Sequence, residues 1–175
     1  MPESQPEAMM TDEHLVIYQR AHSFLSQFLI PGQADEHLAL LLSLRPQPAD
    51  YALVFVPSVV ELAQATYSAM WASPQPLQPA PDQTLVELQV ATAQELLDGT
   101  GAASEFPGGY VGIAHLLRPE RYWLCFRFGA PGVRGSIFYD GLVALDDRLI
   151  WLPKPWRCLR PQTPPAFSIA SHFDD

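Results

Sequence analysis

Residues 121–128 read Arg-Tyr-Trp-Leu-Cys-Phe-Arg-Phe, RYWLCFRF. Four aromatic side chains in eight residues, with no proline or glycine, make this the clearest β-strand of the chain. Strand alternation places Tyr122, Leu124, Phe126 and Phe128 on one face, and Arg121, Trp123, Cys125 and Arg127 on the other. The first face is expected to pack on helices. The second is an arginine/tryptophan stripe, able to stack on a ring or pair with an anion; its alternative is a surface face where arginine stems cover Trp123 and pair with acidic helices.

Strand signals continue on both sides of this run. Before it, QTLVELQV (83–90) alternates and reads as a strand. Thr92 and Glu95 form a capping box for a short helix that ends at Gly99. Phe106–Tyr110 is a turn, and 110–117 is a strand or one helical turn. After it, GAPGVRG (129–135) is a loop and GSIFYDGLVAL a strand ending at Leu145. Asp146-Asp147 turns the chain into a partner strand at 148–152, and PKPW (153–156) closes the sheet.

The first part of the chain has helical texture instead. Thr11 caps a helix with Asp12 and Glu13 in its first turn and Leu15, Tyr18, His22, Leu25 and Leu29 along one face. Pro31-Gly32 stops it, and a second helix runs from about Asp35 to Leu44 with Leu38, Leu41 and Leu42 on its apolar face. DYALVFV (50–56) fits a buried strand or a helical turn, with the turn preferred. Ser58 and Glu61 predict a capping box for a helix to about Ala72. SPQPLQPAP (73–81) carries four prolines in nine residues and is expected to be an extended, rigid connector.

Helices first and strands afterwards is the α+β signature. The expectation is one domain over 11–160, with N-terminal helices (11–72), a Pro-rich connector (73–82) and a mostly antiparallel, curved sheet of four to six strands (83–160). Residues 1–10 are expected to be a disordered tail, and 161–175 a tail or an edge strand at FSIA (167–170). As an analogy of fold alone, this order resembles the cone-shaped NTF2-like and cystatin-like folds, which host binders and enzymes alike.

Charge is unevenly spread. Residues 1–105 carry 13 acidic and two basic residues; residues 106–160 carry four acidic and eight basic ones. A net charge of −9 argues against nucleic-acid binding. No apolar run is long enough to span a membrane, and the first ten residues lack the basic and apolar parts of a secretory signal. Cys125 and Cys158 form no CxxC pair and read as reduced, buried thiols, which suits a cytoplasmic protein.

The catalytic motifs are missing: no HExxH, GxSxG, Walker-type loop or EF-hand loop occurs, so neither a cofactor nor a metal is expected. Asp12-Glu13-His14 and Asp35-Glu36-His37 contain metal-ligand residue types. Both clusters open helices, and an antiparallel pair sets them at opposite ends, so they read as first-turn carboxylates. The candidate binding residues are Arg121, Trp123 and Arg127 on the strand, Tyr139, Lys154, Trp156 and Arg157 on the turns, and His115 as the one histidine of the basic half. Lys154, the sole lysine, sits between two prolines and two tryptophans, so it is presented at small entropic cost. Two functions follow as expectations. The first is a non-catalytic binding module whose acidic surface takes a basic protein partner, as acidic toxin-neutralising proteins and secretion chaperones do. The second is a pocket on the sheet that binds an anionic or aromatic small molecule, or works on it as an enzyme.

Overall fold

The computed structural model describes residues 10–32 and 34–160. The two tail expectations, for 1–10 and 161–175, therefore lie outside the described residues apart from Met10. The remainder is an α+β fold in which helices precede an open antiparallel sheet. The helices are α1 (Asp12–Ser26), α2 (Ala34–Ser43), α3 (Asp50–Val54), α4 (Val60–Trp71), α5 (Ala93–Asp98) and α6 (Pro155–Cys158). The strands are β1 (Leu85–Thr92), β2 (Tyr122–Gly129), β3 (Phe138–Ala144) and β4 (Leu149–Trp151), in the order β1-β2-β3-β4.

RYWLCFRF is indeed the centre. β2 pairs with β1 from Tyr122↔Thr92 to Gly129↔Leu85 and with β3 on its other edge. One face of β2 meets the first helical segment: His14 stands edge-on to Tyr122, and Phe28 packs against Phe128. The other face differs from its expected role. Trp123 and Cys125 are fully buried. Phe55, Tyr110 and the Glu105 carbonyl lie over them, because the segment 101–116 folds into short 3-10 turns instead of a strand and covers this side. β2 is thus enclosed on both faces along most of its length, which explains its nearly unbroken apolar run.

Burial on α1 is rotated from the expected stripe. His14, Ala21, Leu25 and Phe28 face the core, whereas Leu15 is 43% exposed. The cause is His14: its Nε2 is 2.9 Å from Glu95 and its ring meets Tyr122, which turns that side of the helix inward. Two predicted caps form. Thr11 Oγ1 accepts from the His14 N–H, and Thr92 with Glu95 makes the reciprocal box, ended by Gly99 in the left-handed region. The Ser58–Glu61 box does not form. Pro57–Val59 is a 3-10 turn, so Ser58 lies inside a helical turn rather than at an extended N-cap, and α4 starts at Val60.

The β4 edge is covered. The Trp151 N–H donates to the Leu44 carbonyl at 2.9 Å, the Trp71 indole to the Trp151 carbonyl at 3.3 Å, and the Tyr67 hydroxyl to the Leu152 carbonyl at 3.2 Å. Those bonds occupy backbone groups that would otherwise recruit a further strand. Among the described residues no helix is long and apolar enough to cross a membrane.

The Glu95 cluster predicts an acid limb of stability. Burial alone would raise this carboxyl. The hydrogen bonds from His14 and Thr92, with the His14 charge, more than offset that and hold its pKa below the usual value. A lowered folded pKa contributes stability above the unfolded pKa, and that contribution fades as pH falls through the folded one. Urea midpoints of the wild type should therefore drop more steeply than those of Glu95→Gln between about pH 5 and pH 3. Parallel curves would contradict the assignment.

Candidate functional site

The sequence candidates separate into two groups. Arg121, Trp123, Arg127 and His115 do not converge. Arg121 donates from Nε to the Leu53 carbonyl at 2.7 Å, while Arg118 donates to the Phe55 carbonyl at 3.1 Å. Together they satisfy the free carbonyls at the end of α3, a structural task for guanidinium groups. Trp123 is core. Arg127 is exposed and pairs across the strands with Glu87, which also faces solvent. His115 is exposed on the turn Ala114–Leu116, away from the others. The expected arginine/tryptophan stripe is therefore not one continuous face: Trp123 is enclosed, and the two arginines are engaged apart from it.

Tyr139, Lys154, Trp156 and Arg157 do gather, around a residue of the same turn segments that is not among the candidate binding residues. That residue is Asp140. The β2–β3 register slips between Leu124↔Leu142 and Phe126↔Tyr139, so β3 carries an extra residue there. Gly141 takes φ +82 at this bulge, and the Leu152 N–H bonds its carbonyl at 2.7 Å. The bulge turns the Asp140 side chain into the protein, where it is 4% exposed. Its Oδ1 accepts the Tyr110 hydroxyl at 3.1 Å and the Lys154 N–H at 2.8 Å. Its own carbonyl accepts the Trp151 indole N–H at 2.8 Å. Oδ2 has no hydrogen-bond partner among the described residues.

The bond to Asp140 fixes Lys154 in an unusual backbone state. Its φ is 51°, the only positive φ at a non-glycine among the described residues. Pro153 and Pro155 flank it, so the turn into α6 is stiff. Trp156, next on α6, packs on Tyr110 at 5.2 Å and so closely on Gly109 that a Cβ there would lie 2.3 Å from the indole ring. Arg157 is exposed beside it.

β4 pairs only with the Leu142–Ala144 end of β3. Among the described residues no strand lies beyond the Phe138–Tyr139 end, and a pocket of about 340 Å³ is lined by that end. Met70, Trp71, Pro74, Phe138, Tyr139 and Trp151 form its apolar walls; Asp140 and Lys154 contribute the charged groups. Burial pushes the Asp140 carboxyl up, and the bonds from Lys154 and Tyr110 with the charges of Lys154 and Arg157 only partly offset that. Burial likewise pushes Tyr110 well above its ordinary value and the Cys125 thiol up to about 12. A thiol of that kind stays protonated near neutral pH and is a poor nucleophile. The chemistry this arrangement offers is recognition by charge and apolar contact.

A second concavity lies on the helical side. Phe28, Leu29, Ile30, Leu38, Leu41 and Leu77 line a groove of about 870 Å³ between α2 and the connector. The connector is not only a spacer, since Leu77 is buried against this region. Leu38 and Leu42, expected in the core, are 51% and 45% exposed. Asp35, Glu36 and Asp82 are exposed and adjoin the lining residues Ala34, His37, Pro81 and Gln83 in sequence, with Glu36 lining a separate, smaller concavity beside Ile30 and Leu40; none of the three forms an ion pair among the described residues. The signal for the pocket was the Asp-Gly pair inside a strand run, which marks a bulge. Trp71 and Trp151 reach the pocket through tertiary packing and had no local signal. No protein family, curated protein or solved structure matches this chain.

Proposed function

We propose that the protein is a non-catalytic binding module, and that it docks a basic protein partner on the groove between α2 and the Pro-rich connector. One observation carries this reading: exposed Asp35, Glu36 and Asp82 stand next in sequence to the groove-lining residues Ala34, His37, Pro81 and Gln83, and no cation of the described residues pairs with them. Five of the nine arginines are engaged elsewhere. Arg20 donates to the Leu145 and Asp146 carbonyls, Arg118 and Arg121 close α3, Arg127 pairs with Glu87, and Arg148 pairs with the buried Asp50. Four of the eight basic residues of 106–160 thus serve the fold, and none of the eight pairs with Asp35, Glu36 or Asp82 among the described residues. Exposed Ile30 and Leu38 supply apolar contact beside that charge. An acidic rim steers a basic protein and makes the complex sensitive to salt.

The test is affinity capture from native lysate with the wild type and with the double reversal Asp35→Lys/Glu36→Lys. The expected result is a basic partner held at low ionic strength, released at about 0.5 M salt and lost in the reversal variant. A partner that both variants retain equally, or no partner at low salt, contradicts the proposal.

A further inference from the structure

The pocket beside Asp140 stands apart from the acidic groove and has its own chemistry. Its walls are aromatic. Trp71 meets Trp151 edge-on at 6.3 Å, and Trp151 in turn packs at 67° to Tyr139, also at 6.3 Å. Two opposite charges belong to this apolar enclosure, the Asp140 carboxylate in the wall and the exposed Lys154 at the mouth. They are held by one turn, because the Lys154 backbone N–H bonds Asp140 Oδ1, yet no ion pair joins their side chains. Oδ2 remains without a partner on a side chain that is nine-tenths buried. Unlike the Trp123 indole N–H, Oδ2 is not sealed from solvent, so a ligand can reach its free lone pairs.

The combination selects a ligand class. A simple amine would meet the like charge of Lys154. A simple carboxylate would meet the like charge of Asp140. A zwitterion satisfies both, and the aromatic walls favour an apolar or aromatic remainder. A volume of about 340 Å³ falls within the range of small-molecule sites. We propose that this pocket binds a free α-amino acid with a large apolar side chain: its ammonium on Asp140 Oδ2, its carboxylate on Lys154, and its side chain between Trp71, Trp151 and Tyr139. The bond from the Lys154 N–H to Asp140, the left-handed Lys154 and the flanking prolines then fix the Lys154 backbone beside Asp140 before any ligand arrives. Such preorganisation lowers the entropic cost of binding.

The experiment is a titration of the full chain with L-phenylalanine, 2-phenylethylamine and 3-phenylpropionate, read by tryptophan fluorescence and by thermal shift. Saturable binding of L-phenylalanine is expected, with each single-charge analogue weaker by about tenfold or more. Two variants remove one charge each without dismantling the turn. Asp140→Asn keeps an Oδ1 acceptor for Tyr110 and for the Lys154 N–H. Lys154→Gly suits the φ of 51° and is expected to fold at least as well as the wild type. Both should weaken L-phenylalanine binding at least about tenfold. No saturable response up to about 10 mM, equal binding of all three compounds, or wild-type affinity in the folded Lys154→Gly protein would overturn the proposal.

Discussion

Replacing Gly141 by alanine is expected to destabilise the fold by about 3–5 kcal/mol. Two penalties add at this residue. Its φ of +82° lies where a side chain is strained, and a Cβ would stand 2.2 Å from the Leu152 carbonyl oxygen and 2.6 Å from the Pro153 Cα. Neither neighbour can give way easily, because both are backbone. Moving Leu152 would break the 2.7 Å bond from its N–H to the Gly141 carbonyl, and would pull on the Tyr67 hydroxyl that bonds Leu152. The consequence extends beyond β3, since the same bulge aims Asp140 at Tyr110 and Lys154. In a protein of this size the loss corresponds to a Tm lower by roughly 10 °C. Urea and thermal denaturation of Gly141→Ala measure it, and a change below about 1 kcal/mol would show that β4 can move off the bulge at little cost.

Trp123→Ala is expected to cost a similar amount, about 3–5 kcal/mol. The side chain is fully buried, with Phe55 at 6.2 Å and Tyr110 at 5.8 Å between ring centroids. Truncation leaves a cavity beneath both rings. Trp123→Phe should cost less, because it fills most of the space and removes an indole N–H that has no partner among the described residues. Arg127→Ala, two pairs of residues further along the same strand face, should lie within about 0.5 kcal/mol of the wild type, since its pair with Glu87 is exposed. Equilibrium unfolding of the three variants separates a core tryptophan from a surface one. A small effect of Trp123→Ala would return that side chain to the surface.

These two residues also mark how far sequence reasoning reached. Local rules recovered what is locally determined. The Thr11 and Thr92 caps, the Pro-Gly stop after the first helix, and the alternation of β1 and β2 all depend on neighbours in sequence. Trp123 was misplaced because alternation assigns sides of a strand but does not say what covers each side. The 3-10 turns of 101–116 supply that cover, and their apolar residues follow neither a strand nor a helix period. His14 failed for a related reason. A histidine in a DEHL run looks like a solvated first turn until Glu95, 81 residues away, accepts its bond. Tyr139 and Lys154 were legible as candidates because proline and aromatic punctuation marks that turn. Asp140 stands out in the same turn segment, but its central place does not, since that depends on a register shift in β3 and on Tyr110 from a distant segment. The groove was hidden in an ordinary helix pattern: α2 shows a regular apolar face, and only the fold reveals that Leu38 and Leu42 on it stay uncovered.

A basic partner seated on the α2 groove brings its lysines to Asp35, Glu36 and Asp82, which no cation of the described residues pairs with. Zero-length carbodiimide cross-linking of the captured complex, followed by peptide mapping, tests this most directly, because it joins a carboxylate to a lysine amine only where the two touch. The account predicts links from partner lysines to Asp35, Glu36 or Asp82 that vanish at about 0.5 M salt. Links confined to the β2–β3 loop or to the Asp146-Asp147 turn, with those three carboxylates unmodified by the partner, would contradict it.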